Sequence, residues 1–174
     1  MSGLIHIYTG DGKGKSTAAI GLAIRCAGYG ETVVYTQFLK SGTSSELNII
    51  EEIPNIHIVE AEKSFGFLFN ASEETKAAAR VVYSQLLQDA IAKAKATNCR
   101  MLVLDEAIAT YNYNLLDRDL LLSFLQNKPE EMEVVMTGRD PDKKLIDLAD
   151  YVSDIRKVKH PYDQGIPARK GIEK

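Results

Sequence analysis

The chain has 174 residues, of which 45% are hydrophobic and 26% are charged, and its formal net charge at pH 7 is −3. This length and composition are typical of one globular domain, so we expect residues 1–174 to form a single domain. Because no apolar run approaches the roughly 20 residues of a membrane helix, no secretory signal opens the chain and the basic residues are scattered except near the C-terminus, we expect a cytoplasmic protein that binds neither membranes nor nucleic acid.

Six apolar, β-branched runs alternate with helical patterns along the chain. The runs are LIHIY, TVVYTQFL, IHIVEA, MLVLD, EVVMTG and YVSDIRKV, at residues 4–8, 32–39, 56–61, 101–105, 133–138 and 151–158. Runs such as MLVL are apolar at every position, which is typical of parallel strands that are buried on both faces. The alternation predicts an α/β fold with a mostly parallel sheet, helices on both faces, and a ligand site beyond the carboxyl ends of the strands.

The stretch YTGDGKGKST joins the first predicted strand to the first predicted helix. Alternate glycines let successive backbone N–H groups curl around one anion, and the helix N-terminus adds a partial positive charge. This is the context of a phosphate-binding P-loop, so the fold is expected to be P-loop NTPase-like, although the first position of G-x-x-x-x-G-K-S is Thr9 here. The predicted nucleotide-binding residues are Thr9, Gly10, Asp11, Gly12, Lys13, Gly14, Lys15, Ser16 and Thr17.

Three helix boundaries can be predicted from residue types. Gly28 is placed where a helix ends in the left-handed conformation. Ser72 is a suitable cap for the long helix after NASEET, and Asp140 is a suitable cap for a helix that begins with Pro141.

An acidic pair follows the fourth predicted strand in the stretch MLVLDE. Carboxylates at the end of a neighbouring strand complete many nucleotide–metal sites, so we predict that Asp105 and Glu106 bind Mg²⁺ together with the Ser16 hydroxyl, while Lys15 reaches the phosphate oxygens. The alternatives are that Asp105 caps the next helix and that Glu106 is merely solvated.

Three further features lie outside these motifs. Arg139 follows the fifth strand in the stretch TGR, and it is placed to hold a phosphate or a substrate carboxylate. The stretch KSFGFLFN fits a buried strand and a loop that offers aromatic faces to a planar ligand equally well. The tail over residues 156–174 is rich in Gly, Pro and basic residues, and a frayed terminus is its simplest explanation.

These residues leave several functions open. A P-loop ATPase or small-molecule kinase would use Glu106 to position water or a substrate hydroxyl and Arg139 to sense phosphate. A non-catalytic, nucleotide-dependent interaction module would share the same loop.

Four stretches together resemble the P-loop type of ATP:corrinoid adenosyltransferase. They are TGDGKGKSTAAIG, VLDE, TGR with LIDLADYVSDI, and KHPYDQGIPARKGIE, and they span nearly the whole chain. The family's loop has the same non-glycine first position, and the tail is the most specific of the four. An aromatic position that is often Trp in the family is Phe69 here.

The resemblance implies transfer of the 5′-deoxyadenosyl group of ATP to the Co(I) centre of a corrinoid, such as cobalamin, with release of triphosphate. It implies that Lys15, Glu106 and Arg139 are catalytic, that the nucleotide is held in the reverse sense along the loop, and that the tail lies near the active site. Phe67 and Phe69 match family positions whose rings would cover the lower corrin face and exclude axial ligands, which argues against His160 as a cobalt ligand. The family also implies a homodimer and a reduced flavoprotein as electron donor.

Overall fold

The fold is built on one six-stranded sheet. In a computed structural model, which describes residues 2–40, 44–65, 68 and 71–173, every strand pairing is parallel and the strand order is β3-β2-β4-β5-β1-β6. Five of the six strands lie within a predicted run, β1 extends one residue beyond its run to Thr9, and the predicted α/β class is confirmed. The strands are β1 Ile5–Thr9, β2 Val33–Gln37, β3 Ile56–Val59, β4 Met101–Asp105, β5 Glu133–Thr137 and β6 Tyr151–Asp154.

Helices follow most of the strands and return the chain to the end of the sheet where the next parallel strand begins. They are α1 Lys15–Gly28, α2 Leu47–Ile50, α3 Glu73–Ala96, α4 Ala107–Asn112, α5 Arg118–Gln126 and α6 Lys143–Leu148, with a 3₁₀ helix at Pro161–Gln164. Among the described residues, no helix is both long enough and apolar enough to span a bilayer.

The central strands bury side chains on both faces of the sheet. In β4, Leu102 and Leu104 belong to a core that includes the buried side of α3, whereas Met101 and Val103 belong to a second core with the buried alanines of α1. Because alternate residues of a strand point to opposite faces, a strand between two helical layers must be apolar at every position. This explains why β4 reads as an uninterrupted apolar run.

The predicted helix boundaries are partly confirmed. The Ser72 side chain caps α3 by accepting a hydrogen bond from the Thr75 backbone N–H at 3.2 Å. Helix α1 ends at Gly28, as predicted, but the left-handed conformation expected there is wrong, since the glycine with positive φ is Gly30, at 99°.

The cap predicted at Asp140 is also wrong. Asp142 caps α6, because its carboxylate accepts a hydrogen bond from the Lys144 N–H at 2.8 Å. Asp140 instead lies in the preceding turn with φ of 49°, where its carbonyl accepts a hydrogen bond from the Asn112 side-chain amide. This bond holds the chain in the turn and delays the start of the helix by two residues.

Candidate active site

A cavity of about 710 Å³ opens at the carboxyl ends of the central strands. Parallel strands all end at this edge of the sheet, so the loops that follow β1, β2, β4, β5 and β6 converge there. The walls are formed by the glycine-rich loop, by Lys40, Glu46, Glu106 and Arg139, and by the tail from His160 to Glu173.

The glycine-rich loop wraps around the side chain of Lys15. The Lys15 ammonium donates hydrogen bonds of 2.8 Å to the carbonyl oxygens of Gly10 and Gly12. Burial, and then the nearby Arg139 guanidinium, lower the pKa of Lys15. Two cations that face one cavity repel each other unless an anion lies between them, so the site is suited to a polyanionic ligand.

Ile155, the residue before the tail, and Lys157 in the tail are hydrogen-bonded to the same loop. The Gly12 N–H donates to the Ile155 carbonyl at 2.8 Å, and the Ile155 N–H donates to the Thr9 carbonyl at 2.8 Å. The Lys157 N–H donates to the Asp11 carboxylate at 2.8 Å, and this hydrogen bond lowers the pKa of Asp11. The expectation that the loop N–H groups all point at one anion is therefore wrong for Gly12, whose N–H is committed to the Ile155 carbonyl.

Close approach by Ile155 also restricts the side chains of the loop. A Cβ atom added at Gly10 would lie 2.3 Å from the Ile155 carbonyl oxygen, and one added at Gly12 would lie 2.6 Å from it. Real Cβ atoms essentially never approach other atoms so closely, so Ile155 requires glycine at both positions. The end of the tail also contacts the loop, since the Glu173 carboxylate lies 3.7 Å from the Lys13 ammonium.

Asp105 is fully buried beneath the loop and is surrounded by donors. Its Oδ1 atom accepts a hydrogen bond of 2.6 Å from the Thr137 hydroxyl. Its Oδ2 atom accepts hydrogen bonds from the Lys40 ammonium at 2.9 Å and from the Gln37 amide at 3.3 Å. Asp105 does not cap α4, because the residue at the N-cap position is Glu106.

Glu106 occupies a strained position beside this carboxylate. Its backbone is left-handed, with φ of 61°, which is uncommon for a residue with a side chain. Its N–H donates to the Thr137 hydroxyl at 2.9 Å. Burial, and then the Asp105 charge, raise the pKa of Glu106, so the alternative of a merely solvated side chain is not supported.

The Arg139 side chain reaches the cavity from the loop after β5. The Asn112 side-chain amide donates to the carbonyl oxygens of Arg139 and Asp140, at 3.2 Å and 2.8 Å, and holds this loop against α4. The guanidinium makes no hydrogen bond or ion pair within the described part of the chain, so it is available to a ligand.

Ser16 and Asp105, two of the residues predicted to bind Mg²⁺, both contact the Lys40 ammonium. The Lys40 ammonium is 2.9 Å from the Asp105 carboxylate, 3.4 Å from the Ser16 hydroxyl and 3.5 Å from the Glu46 carboxylate. Hydroxyl and carboxylate oxygens are the ligands that Mg²⁺ prefers, and their attraction for an ammonium shows that the position suits a cation. The described residues contain no cluster of three or more His, Cys, Asp or Glu side chains at metal-binding distance, so a bound metal would also need ligands from the substrate.

Sequence reasoning missed Lys40, Gln37 and Glu46. Gln37 is the last residue of β2 and Lys40 lies in the loop after it, and the carboxyl end of β2 lies beside that of β4. The rule that located Asp105 and Arg139, that polar residues at strand carboxyl ends converge, would also have selected Lys40.

The two aromatic residues assigned to the corrin face, Phe67 and Phe69, lie outside the described residues. Their neighbour Phe65 is half-buried and packs edge-on against Tyr83, with ring centroids 6.0 Å apart. Residues 63–65 and Leu68 are not part of a strand. The described part of this segment therefore corresponds to a loop rather than to a buried strand.

A parallel sheet with a glycine-rich loop between β1 and α1, and a buried carboxylate at the end of β4, defines a P-loop nucleotide-binding protein. Solved structures with this fold include a KaiC-like protein from Pyrococcus horikoshii, with a TM-score of 0.56 and 18% identity over 88% of this chain and 73% of that chain. Another is EssC from Geobacillus thermodenitrificans, with a TM-score of 0.54 and 12% identity over 97% of this chain and 35% of that chain. These similarities concern the fold alone.

Sequence comparison identifies the family. The model of the ATP:corrinoid adenosyltransferases BtuR/CobO/CobP matches residues 1–173. The chain is 36% identical to the corrinoid adenosyltransferase CobA of Salmonella typhimurium, over 98% of this chain and 85% of the relative. It is 31% identical to the corrinoid adenosyltransferase of Pseudomonas aeruginosa, over 98% of this chain and 83% of the relative. The chain belongs to the ATP:corrinoid adenosyltransferase family, which confirms the resemblance and disfavours the ATPase and kinase alternatives.

Proposed function

We propose that the protein transfers the 5′-deoxyadenosyl group of ATP to the Co(I) centre of a corrinoid. The electron pair of Co(I) forms the bond to the C5′ carbon, the bond between C5′ and the α-phosphate oxygen breaks, and triphosphate leaves with the electron pair of that broken C–O bond. The observation that carries the proposal is the pair of cations, Lys15 and Arg139, that face one cavity, where burial, and then the Arg139 guanidinium, lower the pKa of Lys15 even though Glu106 and Asp11 line the same cavity. A triphosphate leaving group supplies further negative charge between the two cations.

The chain contributes positioning and electrostatic stabilisation to this reaction. Lys15 and Arg139 stabilise the charge that develops on the triphosphate. The remaining phosphate contacts come from the loop residues Thr9 to Thr17, except for the Gly12 N–H, and the reverse direction of the nucleotide follows the family. Glu106 lines the same cavity, and the family resemblance assigns it a catalytic role there.

Mg²⁺ is the metal that the oxygen donors of this site fit. Ser16, Asp105 and Glu106 are the residues that would hold it, directly or through water. Bound there, it would neutralise part of the triphosphate charge.

Phe67 and Phe69 are assigned to the lower face of the corrin by the family resemblance. Rings at this face would exclude the axial ligands that make reduction to Co(I) difficult. Replacing either residue by Ala should then slow turnover strongly with Co(II) and a mild reductant, and weakly with pre-formed Co(I). Equal losses with both cobalt states in a folded variant would contradict the assignment.

Organisation and partners are proposed on the same basis. We expect a single cytoplasmic domain whose residues 156–174 border the active site, a homodimer, and a reduced flavoprotein as electron donor. Gel filtration with light scattering tests the dimer, and replacing a chemical reductant by reduced flavodoxin tests the donor.

The central experiment follows product formation directly. The protein is incubated with ATP and chemically reduced cobalamin, and the light-sensitive alkyl-cobalt product is followed by absorbance while the phosphate products are separated by ion exchange. We expect one triphosphate for each adenosylated corrinoid. Release of ADP and phosphate without an alkyl-cobalt product would overturn the proposal and return the ATPase alternative.

A further inference from the structure

Lys40 borders two cavities in the described part of the chain. One is the cavity of about 710 Å³ described above, and the other is a cavity of about 360 Å³ beside β3, whose lining also includes Gln37, Ser64 and Tyr83. The Lys40 side chain is 27% exposed, whereas its partner Asp105 is fully buried. The ammonium is therefore held on one side by Asp105, Ser16 and Glu46, and the Lys40 side chain also faces two cavities.

The position of the ammonium coincides with the proposed metal position. The ammonium contacts the Ser16 hydroxyl and the Asp105 carboxylate, at 3.4 Å and 2.9 Å. A divalent ion held by the same two oxygens would lie within bonding distance of both, and an ammonium cannot remain there with it because like charges at this separation repel strongly. Occupation of the position by Lys40 and by a metal is therefore mutually exclusive.

A buried, charged carboxylate also requires a nearby cation for stability, both with and without bound ligands. Leaving Asp105 without one would expose an uncompensated buried charge, which is strongly destabilising. Thr137 and Gln37 supply hydrogen bonds to Asp105 but no positive charge. Lys40 supplies that charge before substrates bind.

We propose that Lys40 is a positioning residue that holds the Ser16–Asp105 pair in the nucleotide-free protein and leaves it when the metal is bound. This inference rests on the proposed function, in which the metal accompanies the triphosphate. The exchange makes metal binding unfavourable until the triphosphate adds its own negative charge to the cavity. The metal and ATP therefore bind together, and the nucleotide-free protein does not bind divalent ions appreciably.

The test uses Mn²⁺ alone as a probe, without nucleotide or corrinoid, and measures bound ion by the loss of the free Mn²⁺ electron paramagnetic resonance signal. Lys40→Met removes the ammonium and keeps the length of the side chain. We expect Lys40→Met to bind Mn²⁺ about tenfold more tightly than the wild type, because a charge-assisted hydrogen bond no longer has to be broken first. Lys143→Met is the matched control, since Lys143 is exposed on α6 and its ion pair with Asp147 is exposed as well.

A second measurement separates exchange from a purely structural role. Lys40→Met should lower the melting temperature, and Mn²⁺ should restore more of it in the variant than it adds to the wild type. If Lys40→Met does not fold, Lys40→Gln, which retains a hydrogen-bond donor, is measured in the same way. Equal or weaker Mn²⁺ binding in the folded variant overturns the inference. Absence of adenosyl transfer by the wild type would instead overturn the proposed function, because the Mn²⁺ measurement does not depend on turnover.

Discussion

Asp105→Asn is the substitution for which the structure gives the sharpest expectation. Both carboxylate oxygens of Asp105 accept hydrogen bonds: Oδ1 from Thr137 at 2.6 Å, and Oδ2 from Lys40 at 2.9 Å. An asparagine has one acceptor oxygen and one donor amide, so in either orientation a donor faces a donor. The Thr137 hydroxyl, which also accepts the Glu106 N–H at 2.9 Å, could face the asparagine amide only by turning its own proton away and losing the bond that it donates to residue 105.

The expected loss of stability follows from the burial of the two partners. Removing one partner of a buried ion pair costs about 3–5 kcal/mol. Lys40 retains some exposure and a second carboxylate, Glu46, at 3.5 Å, which reduces the loss. We therefore expect Asp105→Asn to lower the free energy of unfolding by about 2–4 kcal/mol in the absence of ligands.

Urea unfolding at pH 7 measures this loss, and a double-mutant cycle with Lys40→Met isolates the pair. A coupling energy of about 1–3 kcal/mol is expected for residues in direct contact. Asp89→Asn is the control, because Asp89 makes one exposed hydrogen bond, to Gln85 at 2.9 Å, and should cost less than about 0.5 kcal/mol. A loss below about 1 kcal/mol for Asp105→Asn, or strict additivity with Lys40→Met, would refute the reasoning.

Three further predictions concern the loop and its neighbours. Gly12→Ala forces a Cβ atom to 2.6 Å from the Ile155 carbonyl oxygen, so it should lower the free energy of unfolding by about 1–3 kcal/mol and weaken ATP binding. Gly28→Ala is the control, because Gly28 lies in a helix with open space around it, and it should leave the melting temperature unchanged or raise it. Equal melting temperatures for the two variants would contradict the clash. Lys15→Ala should weaken ATP binding at least about tenfold in calorimetry, because it removes charge-assisted hydrogen bonds to phosphate, and unchanged affinity would exclude that role. Glu106 has a raised pKa in the folded state, so it destabilises the protein as pH rises above the ordinary glutamate value of about 4.3; Glu106→Gln should therefore be more stable than the wild type at neutral pH, and urea unfolding from pH 4 to 8 should show this advantage vanishing toward the acid end.

The strands could be predicted because their environment leaves a simple trace in the sequence. A central parallel strand such as β4 contacts helices on both faces, so all of its positions are apolar. The helix ends depend on smaller energies: Gly28 and Gly30 are both plausible ends for α1, and Asp140 and Asp142 are both plausible caps for α6. The choice between them is made by tertiary contacts, such as that of Asn112 with the Asp140 carbonyl, which a single sequence does not reveal.

The candidate site was predictable in its parts but not in its connections. The phosphate loop and the acidic pair have recognisable spacing, and Arg139 follows a strand. The contact between Lys40 and Asp105 joins residues 65 positions apart, and the bond from Lys157 to Asp11 joins residues 146 positions apart. Contacts of such long range depend on the strand order, in which β2 lies beside β4 and β6 beside β1, and no local pattern specifies that order.

The alternate glycines of the loop illustrate how one sequence pattern can have two physical causes. Gly14 has φ of 123° and open space around its α-carbon, so its requirement is conformational: the backbone must turn into α1. The requirement at Gly12 is steric, because the Ile155 carbonyl occupies the place of a side chain. The Ile155 carbonyl covers the loop at Gly12, while the later tail residues, from His160 to Glu173, line the cavity together with the loop. We therefore expect the position of the tail and the binding of a phosphate ligand in this cavity to depend on each other.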